Sequence, residues 1–231
     1  MKIVVLHPKA CRKSAAALAE ALACIAVNPF EDDYAQDKIN KADVVFNYGC
    51  GYNIRHPLVI NSGVAVQKCV SKIETFKALQ QDGIPIPEYV LKKQDIPADW
   101  ENVYCRKDGG KKNEGLDVWN RWEGKPISDA DFYTRNYDYE HEYRVMVIGS
   151  VCAGVYHKDE VDGDWYLNKV PKKGLEEMVF ACEAAALSLG IDYVGFDVLS
   201  KSKKEFIILE ANSGAVLQDE SIPVIKRLIG V

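Results

Sequence analysis

The stretch "GFDVLSKSKKEFIILEAN" (195–212) constrains this chain more than any other. Two apolar runs, 193–199 and 205–209, flank the polar "SKSKK", the pattern of a β-hairpin closed by a turn of about five residues. Residues two apart on an extended chain share a face, so Glu210 and Asn212 project together. Pairing of the two strands sets Asp197 opposite or diagonal to Leu209-Glu210. Asp197, Glu210 and Asn212 then converge at one end of the hairpin. Two carboxylates and an amide are hard oxygen donors suited to Mg2+ or Mn2+, and Mg2+ uses few protein ligands, taking the rest from phosphates and water. The same three residues also read as a polar strand end with its turn hydrogen bonds satisfied.

Upstream, residues 2–6 (KIVVL) and 43–46 (DVVF) read as buried strands. Between them, Ser14 precedes an Ala/Leu-rich run to about residue 26, the pattern of a capped helix. Strand, helix and strand make a small α/β unit. "SKIETFKALQQDG" is the clearest helix, with a Ser71–Glu74 capping box, an Ile73-Phe76-Leu79 stripe and Gly83 at its C-terminal stop. Strands are expected at 88–91, 103–106 and 116–119, with 131–137 a strand or connector. "EYRVMVIGSVCAGVYHK" reads as a hairpin turning at Gly149-Ser150. Helices follow at 175–189 and 219–229.

Two further stretches carry chemistry. In "CRKDGGKKNEG" a strand delivers Arg106 and Lys107 into a loop with Gly109, Gly110 and Gly115 and the side chains Lys111, Lys112 and Asn113. Glycines let backbone N–H groups turn toward an anion that lysines neutralise. The spacing is that of neither a Walker A loop nor GxGxxG, and an exposed hairpin tip has the same composition. In "EHEYRVMVIG", Glu142 and Arg144 share one strand face, where charge is costly unless paired or bound to something. A surface Glu142–Arg144 pair satisfies that requirement too. The returning strand brings His157 and Lys158, and "DEVDGDWYLNK" brings Asn168.

Composition narrows the function classes. At 231 residues, with 48% hydrophobic and 27% charged residues, the chain is long and apolar enough for one large domain or several small lobes. A net charge of -5 gives no basic surface for nucleic acid. The seven cysteines are odd in number with no CxxC pair, which points to free thiols. The opening apolar run is too short for a signal peptide and no stretch is long enough to span a bilayer. These features predict a cytoplasmic protein with neither nucleic-acid nor membrane partners.

The order of these pieces resembles the ATP-grasp superfamily, in particular its RimK-like carboxylate–amine ligase branch. The resemblance runs from about residue 66 to 217 and is carried by "SKIET", "EYRVMVIG", "GIDYVGFDVL" and "FIILEANS". It implies α/β and α+β structure: an ATP-grasp fold of two α+β lobes, preceded by a short α/β N-terminal domain. Element order divides the chain into that N-terminal domain (1–68), a small lobe with the glycine-rich flap (69–136) and a large lobe with the metal site (137–231).

The resemblance also implies residue roles. Asp197, Glu210 and Asn212 would hold Mg2+ (or Mn2+) on the triphosphate of ATP. Lys72 and Arg106 would touch phosphate, with Arg106 standing where the family has a lysine unless Lys107 takes that place. Gly109, Gly110 and Lys111 belong to the flap over the phosphates. Thr134, Arg135, Asn136 and Tyr137 fall on the connector beside adenine, and Asp138 and Glu140 are the candidates for ribose. Arg144, Lys158 and Asn168 would line the reacting phosphate. The activity implied is ligation of a small-molecule or peptide carboxylate to an amine through an acyl phosphate, by a chain that could form a homo-oligomer. A kinase on the same fold and a non-catalytic nucleotide-binding protein are the alternatives.

Overall fold

A computed structural model describes residues 1–109, 117–123, 125–162 and 164–231. Gly110 and Lys111, with the rest of the loop through residue 116, lie outside the described residues.

The chain first builds a parallel sheet. The buried runs β1 (Ile3–Leu6) and β3 (Val44–Asn47) pair directly, β2 (Ile25–Val27) adds to β1, and β4 (Val59–Ile60) adds to β3. Helices α1 (Arg12–Ala21) and α2 (Ala35–Asn40) make the crossovers. The expected helix from Ser14 to about residue 26 is shorter. It starts at Arg12 with Ser14 inside it, and it stops where Ala23 turns left-handed at φ +50°. Ile25, Ala26 and Val27 then pair with Val4, Val5 and Leu6. Strand pairing overrides the helix propensity of an alanine-rich run.

Two helices follow end to end, α3 (Gly63–Val70) and α4 (Lys72–Gln81). Ser71 breaks them: its N–H finishes α3 on the Gln67 carbonyl, and its hydroxyl accepts from the Glu74 N–H at 3.1 Å to start α4. The capping box is half formed, because the Ser71 N–H is already used and Glu74 pairs with Lys77 at 2.8 Å. A second sheet, antiparallel in the order β5-β8-β6-β7, contains β5 (Tyr89–Val90), β6 (Asn102–Arg106), β7 (Asp117–Asn120) and β8 (Phe132–Arg135) around Trp100, Val103, Cys105 and Tyr133.

The third sheet is antiparallel in the order β11-β10-β9-β12-β13. Strands β9 (His141–Ile148) and β10 (Val151–Val161) turn at Gly149 and Ser150, both left-handed at φ +58° and +63°, the type I′ pattern for a two-residue hairpin. Strand β10 runs past the expected hairpin and turns back into β11 (Asp164–Val170). After helix α5 (Glu176–Leu189), β12 (Tyr193–Ser200) and β13 (Phe206–Asn212) complete the sheet, and α6 (Ser221–Ile229) closes the chain.

The two faces of this sheet have different fates. Val145, Val147, Phe196, Val198 and Ile208 pack against Met178, Cys182, Ala185 and Leu189 of α5. On the other face Met146, Ile148, Tyr156 and Tyr193 pack against Val5 and Phe46 of the first sheet, Tyr48 of the loop after β3 and Ile225 of α6. Further along that second face the residues become charged, and there the sheet borders a cavity.

Candidate functional site

A cavity of about 590 Å³ opens between the second and third sheets, within the size range of small-molecule sites. Period two decides what lines it. Glu142 and Arg144 of β9, Lys158 of β10, Trp165 and Leu167 of β11, and Asp197 and Leu199 of β12 all border it. Strand β13 reaches it through a β-bulge. Asp197 pairs with Glu210, but Val198 pairs with Ile208, which leaves Leu209 as the extra residue. Ile208 and Ala211 both face the α5 core. Regular alternation from Ile208 would bury Glu210 in that core; the bulge brings Glu210 and Asn212 to the cavity instead.

The second sheet supplies the opposite wall with Tyr104, Arg106, Thr134, Arg135 and Asn136, joined by Lys107, Tyr137 and, from the N-terminus of α4, Lys72. The Arg106 Nε donates to Thr134 Oγ1 at 2.9 Å, and its guanidinium lies 5.1 Å from the centre of the Tyr104 ring. Burial pulls the Arg106 pKa below its ordinary value, against the pull of Tyr104 and Glu210. Lys107 is half exposed, 3.5 Å from Asp131, and Arg135 is 3.1 Å from Glu88.

The charges on the third sheet form a paired network. Asp197 is only 6% exposed. Its Oδ1 accepts from Arg144 Nε, while its Oδ2 accepts from Arg144 Nη2 at 3.0 Å and from Lys158 Nζ at 3.2 Å. Lys158 also donates to Glu142 and lies 4.8 Å from the centre of the Trp165 ring. Lys72 Nζ is 3.2 Å from Glu210 Oε1. Burial opposes charge on Arg144, but Asp197, then Glu210 and Glu142, outweigh it and raise its pKa. The alternative reading, a surface Glu142–Arg144 pair, is not what forms: each residue is paired across to a neighbouring strand, below the surface.

Twelve of the predicted residues thus border one cavity: Lys72, Arg106, Lys107, Thr134, Arg135, Asn136, Tyr137, Arg144, Lys158, Asp197, Glu210 and Asn212. Asn168 is not among them. Leu167 takes the cavity side of β11, and Asn168, one residue on, donates to Asp159 Oδ2 at 2.6 Å beside a separate shallow depression. Gly109 is left-handed at φ +66° near Val70 and does not border the cavity. Asp138 and Glu140 are exposed outside it. His157 faces away from it and bonds Asp159 at 2.8 Å.

Sequence reading missed Asp108, whose carboxylate accepts from Ser71 Oγ at 2.7 Å and from the Ile73 N–H at 3.2 Å, tying the start of the glycine-rich loop to α4. It also missed the aromatic lining of Tyr104, Tyr139 and Trp165. Alternation along β6 was the available signal for Tyr104.

The donor set of Asp197, Glu210 and Asn212 fits a hard dication. The two carboxylates sit opposite one another in the β12/β13 ladder. Asn212 lies two residues on along β13 and offers its Oδ1, and its buried Nδ2 has no hydrogen-bond partner among the described residues. A buried N–H donor left unpaired is costly, so an acceptor such as a phosphate oxygen arriving with the cation would recover a lost interaction.

No protein-family model matches the sequence, and no curated protein matches it. Solved structures do match. The ATP-grasp ligase PsnB with its minimal precursor superposes at TM-score 0.73 and 16% identity, over 100% of this chain and 99% of that one. D-alanine–D-alanine ligase from Bacillus anthracis with ATP superposes at 0.71 and 14%, over 100% and 92%. N5-carboxyaminoimidazole ribonucleotide synthetase with ADP superposes at 0.68 and 16%, over 97% and 75%. At these identities the likeness is one of fold: this chain has the ATP-grasp fold along its whole length.

Proposed function

We propose that this protein is an ATP-dependent ligase that joins a carboxylate to an amine through an acyl phosphate. The observation that carries the reading is the meeting, in one cavity between two sheets, of a hard-donor set (Asp197, Glu210, Asn212) with the cations Lys72, Arg106, Arg144 and Lys158. Cations in excess of carboxylates on a partly dry wall suit a polyphosphate.

The triphosphate lies along Lys72 and Arg106, with Lys107 at the cavity edge. Adenine lies at the connector Thr134, Arg135, Asn136 and Tyr137, against Leu199 and Ile207. Asp197, Glu210 and Asn212 would hold Mg2+ (or Mn2+), which would neutralise phosphate charge. A substrate carboxylate oxygen attacks the γ-phosphorus and ADP leaves. The amine then attacks the acyl carbon, phosphate leaves, and the nitrogen gives up a proton. Both steps carry negative charge on the transferring group, which Arg144 and Lys158 are placed to stabilise. This demands positioned cations rather than a side-chain nucleophile.

The RimK-like branch, the division into 1–68, 69–136 and 137–231, and a cytoplasmic location belong to the same reading. Seven free thiols, five of them buried, suit a reducing compartment. PsnB is solved with a precursor peptide and the Bacillus anthracis enzyme is a D-alanine ligase, so both peptide and small-molecule carboxylates are candidate substrates.

The test is trapping. Incubation with ATP, Mg2+, hydroxylamine and a panel of amino acids and acidic peptides should give a hydroxamate with equal release of ADP and phosphate. The Asp197→Asn protein should give none. A phosphorylated hydroxyl product without hydroxamate would instead make the protein a kinase on this fold.

A further inference from the structure

The buried network on the third sheet is balanced before any ligand arrives. Two cations, Arg144 and Lys158, face two anions, Asp197 and Glu142, and both Asp197 oxygens are engaged. A dication approaching Asp197 alone would meet two fixed cations and leave the cluster with uncompensated positive charge in a region of low exposure. A dication arriving with a polyphosphate brings its own negative charge, which Arg144 and Lys158 can take up in exchange for Asp197. Lys158 has somewhere to remain during that exchange, because Glu142 holds it independently of Asp197. Packing over the Trp165 ring keeps its ammonium at the cavity wall.

We infer that Asp197 is closed to divalent cations in the nucleotide-free protein, and that Glu142 is a positioning residue that retains Lys158 when the cation claims Asp197. This rests on the ATP-binding reading above. Metal and nucleotide therefore enter together, and by linkage each raises the affinity of the other. Removing Lys158 and removing Glu142 have opposite consequences. Without Lys158, Asp197 regains part of one oxygen and Glu142 becomes free. Without the Glu142 charge, Lys158 has Asp197 as its remaining carboxylate and competes harder with the metal.

Calorimetric titration separates these outcomes. Mn2+ titrated into the nucleotide-free wild type should bind at least about tenfold more weakly than into Lys158→Met. For Glu142→Gln, the Mn2+ needed for half-maximal binding of the analogue AMP-PNP should rise about tenfold, with metal-free AMP-PNP affinity not weakened. Glu142→Asp, which keeps the charge, should restore most of the loss. Should Lys158→Met not fold, the wild-type and Glu142 titrations still decide. Wild type binding Mn2+ equally well with and without nucleotide overturns the inference. So does Glu142→Gln losing metal-free and metal-dependent AMP-PNP affinity in equal measure. Failure of the wild type to bind AMP-PNP at any Mn2+ concentration would instead refute the ATP-binding reading itself.

Discussion

Tyr48 sits on the loop after β3 and reaches across the molecule. Its hydroxyl donates to the Ala215 carbonyl, as does the Tyr193 hydroxyl at 3.0 Å, three residues beyond Asn212. Burial pushes the Tyr48 phenol up to about 12 from an ordinary value of 10.0. The unfolded chain therefore loses this proton first as pH rises. Stability from this group is intact below about pH 10 and is lost as pH climbs toward 12. Tyr48→Phe should cost about 1 kcal/mol at neutral pH through the lost hydrogen bond. Its deficit against wild type should shrink between pH 10 and 12, read from melting temperatures across that range. At this scale the sequence was legible where the spacing was local: the hairpin was readable, and Asp197, Glu210 and Asn212 meet at its end, though only through the bulge at Leu209. Asn168 was misplaced because its strand was not recognised, so its parity relative to Leu167 could not be assigned. Glu142 was undervalued because Lys158 of β10 reaches it only past the register shift between Cys152 and Gly154, which the hairpin pattern does not reveal.

Elements explain how the arginine reaches its carboxylate. Gly195 stands on β12 opposite Asn212 and Met146. A Cβ there would lie 2.7 Å from Ala215 Cβ, 2.9 Å from Arg144 Cδ and 3.1 Å from Met146 Sδ. The missing side chain is the channel through which Arg144 passes to Asp197. Gly195→Ala should destabilise the fold by about 1–3 kcal/mol through overpacking. It should also cut the hydroxamate rate more than it weakens ATP binding, since Arg144 is the group displaced. A melting curve and steady-state kinetics measure both. The long helices and the β9/β10 and β12/β13 hairpins were readable because periodicity and glycine stops agree. Strands β2 and β11 were not: β2 hides in an alanine-rich run, and β11 is largely polar. The bulge at Leu209 has no sequence signature, yet it decides which way Glu210 points.

On the scale of the molecule, one amide adds to the core packing that joins the first sheet to the third. Asn61 is fully buried, left-handed at φ +64°, and follows β4. Its Oδ1 accepts from the N–H groups of Asp192 and Tyr193 at 3.0 and 2.8 Å, and its Nδ2 donates to the Tyr193 carbonyl at 2.8 Å. Asn61→Ala would orphan these backbone groups and should cost about 3 kcal/mol. In a chain of this length that lowers the melting temperature by roughly 6–12 °C. Order along the chain pointed to the plan of the fold, but contacts such as Asn61 to Tyr193 span more than a hundred residues and no motif announces them. The central claim concerns the cavity that this plan encloses: that ATP and a divalent cation bind there through Asp197 and Glu210. It is tested most directly by the melting temperature with saturating Mg-ATP, in wild type and in Asp197→Asn and Glu210→Gln. At about a hundred times the dissociation constant the wild type should gain about 2.7 kcal/mol, a rise of roughly 5–10 °C, and both variants should lose most of it. No shift in the wild type, or a shift of the same size in both variants, would contradict the account.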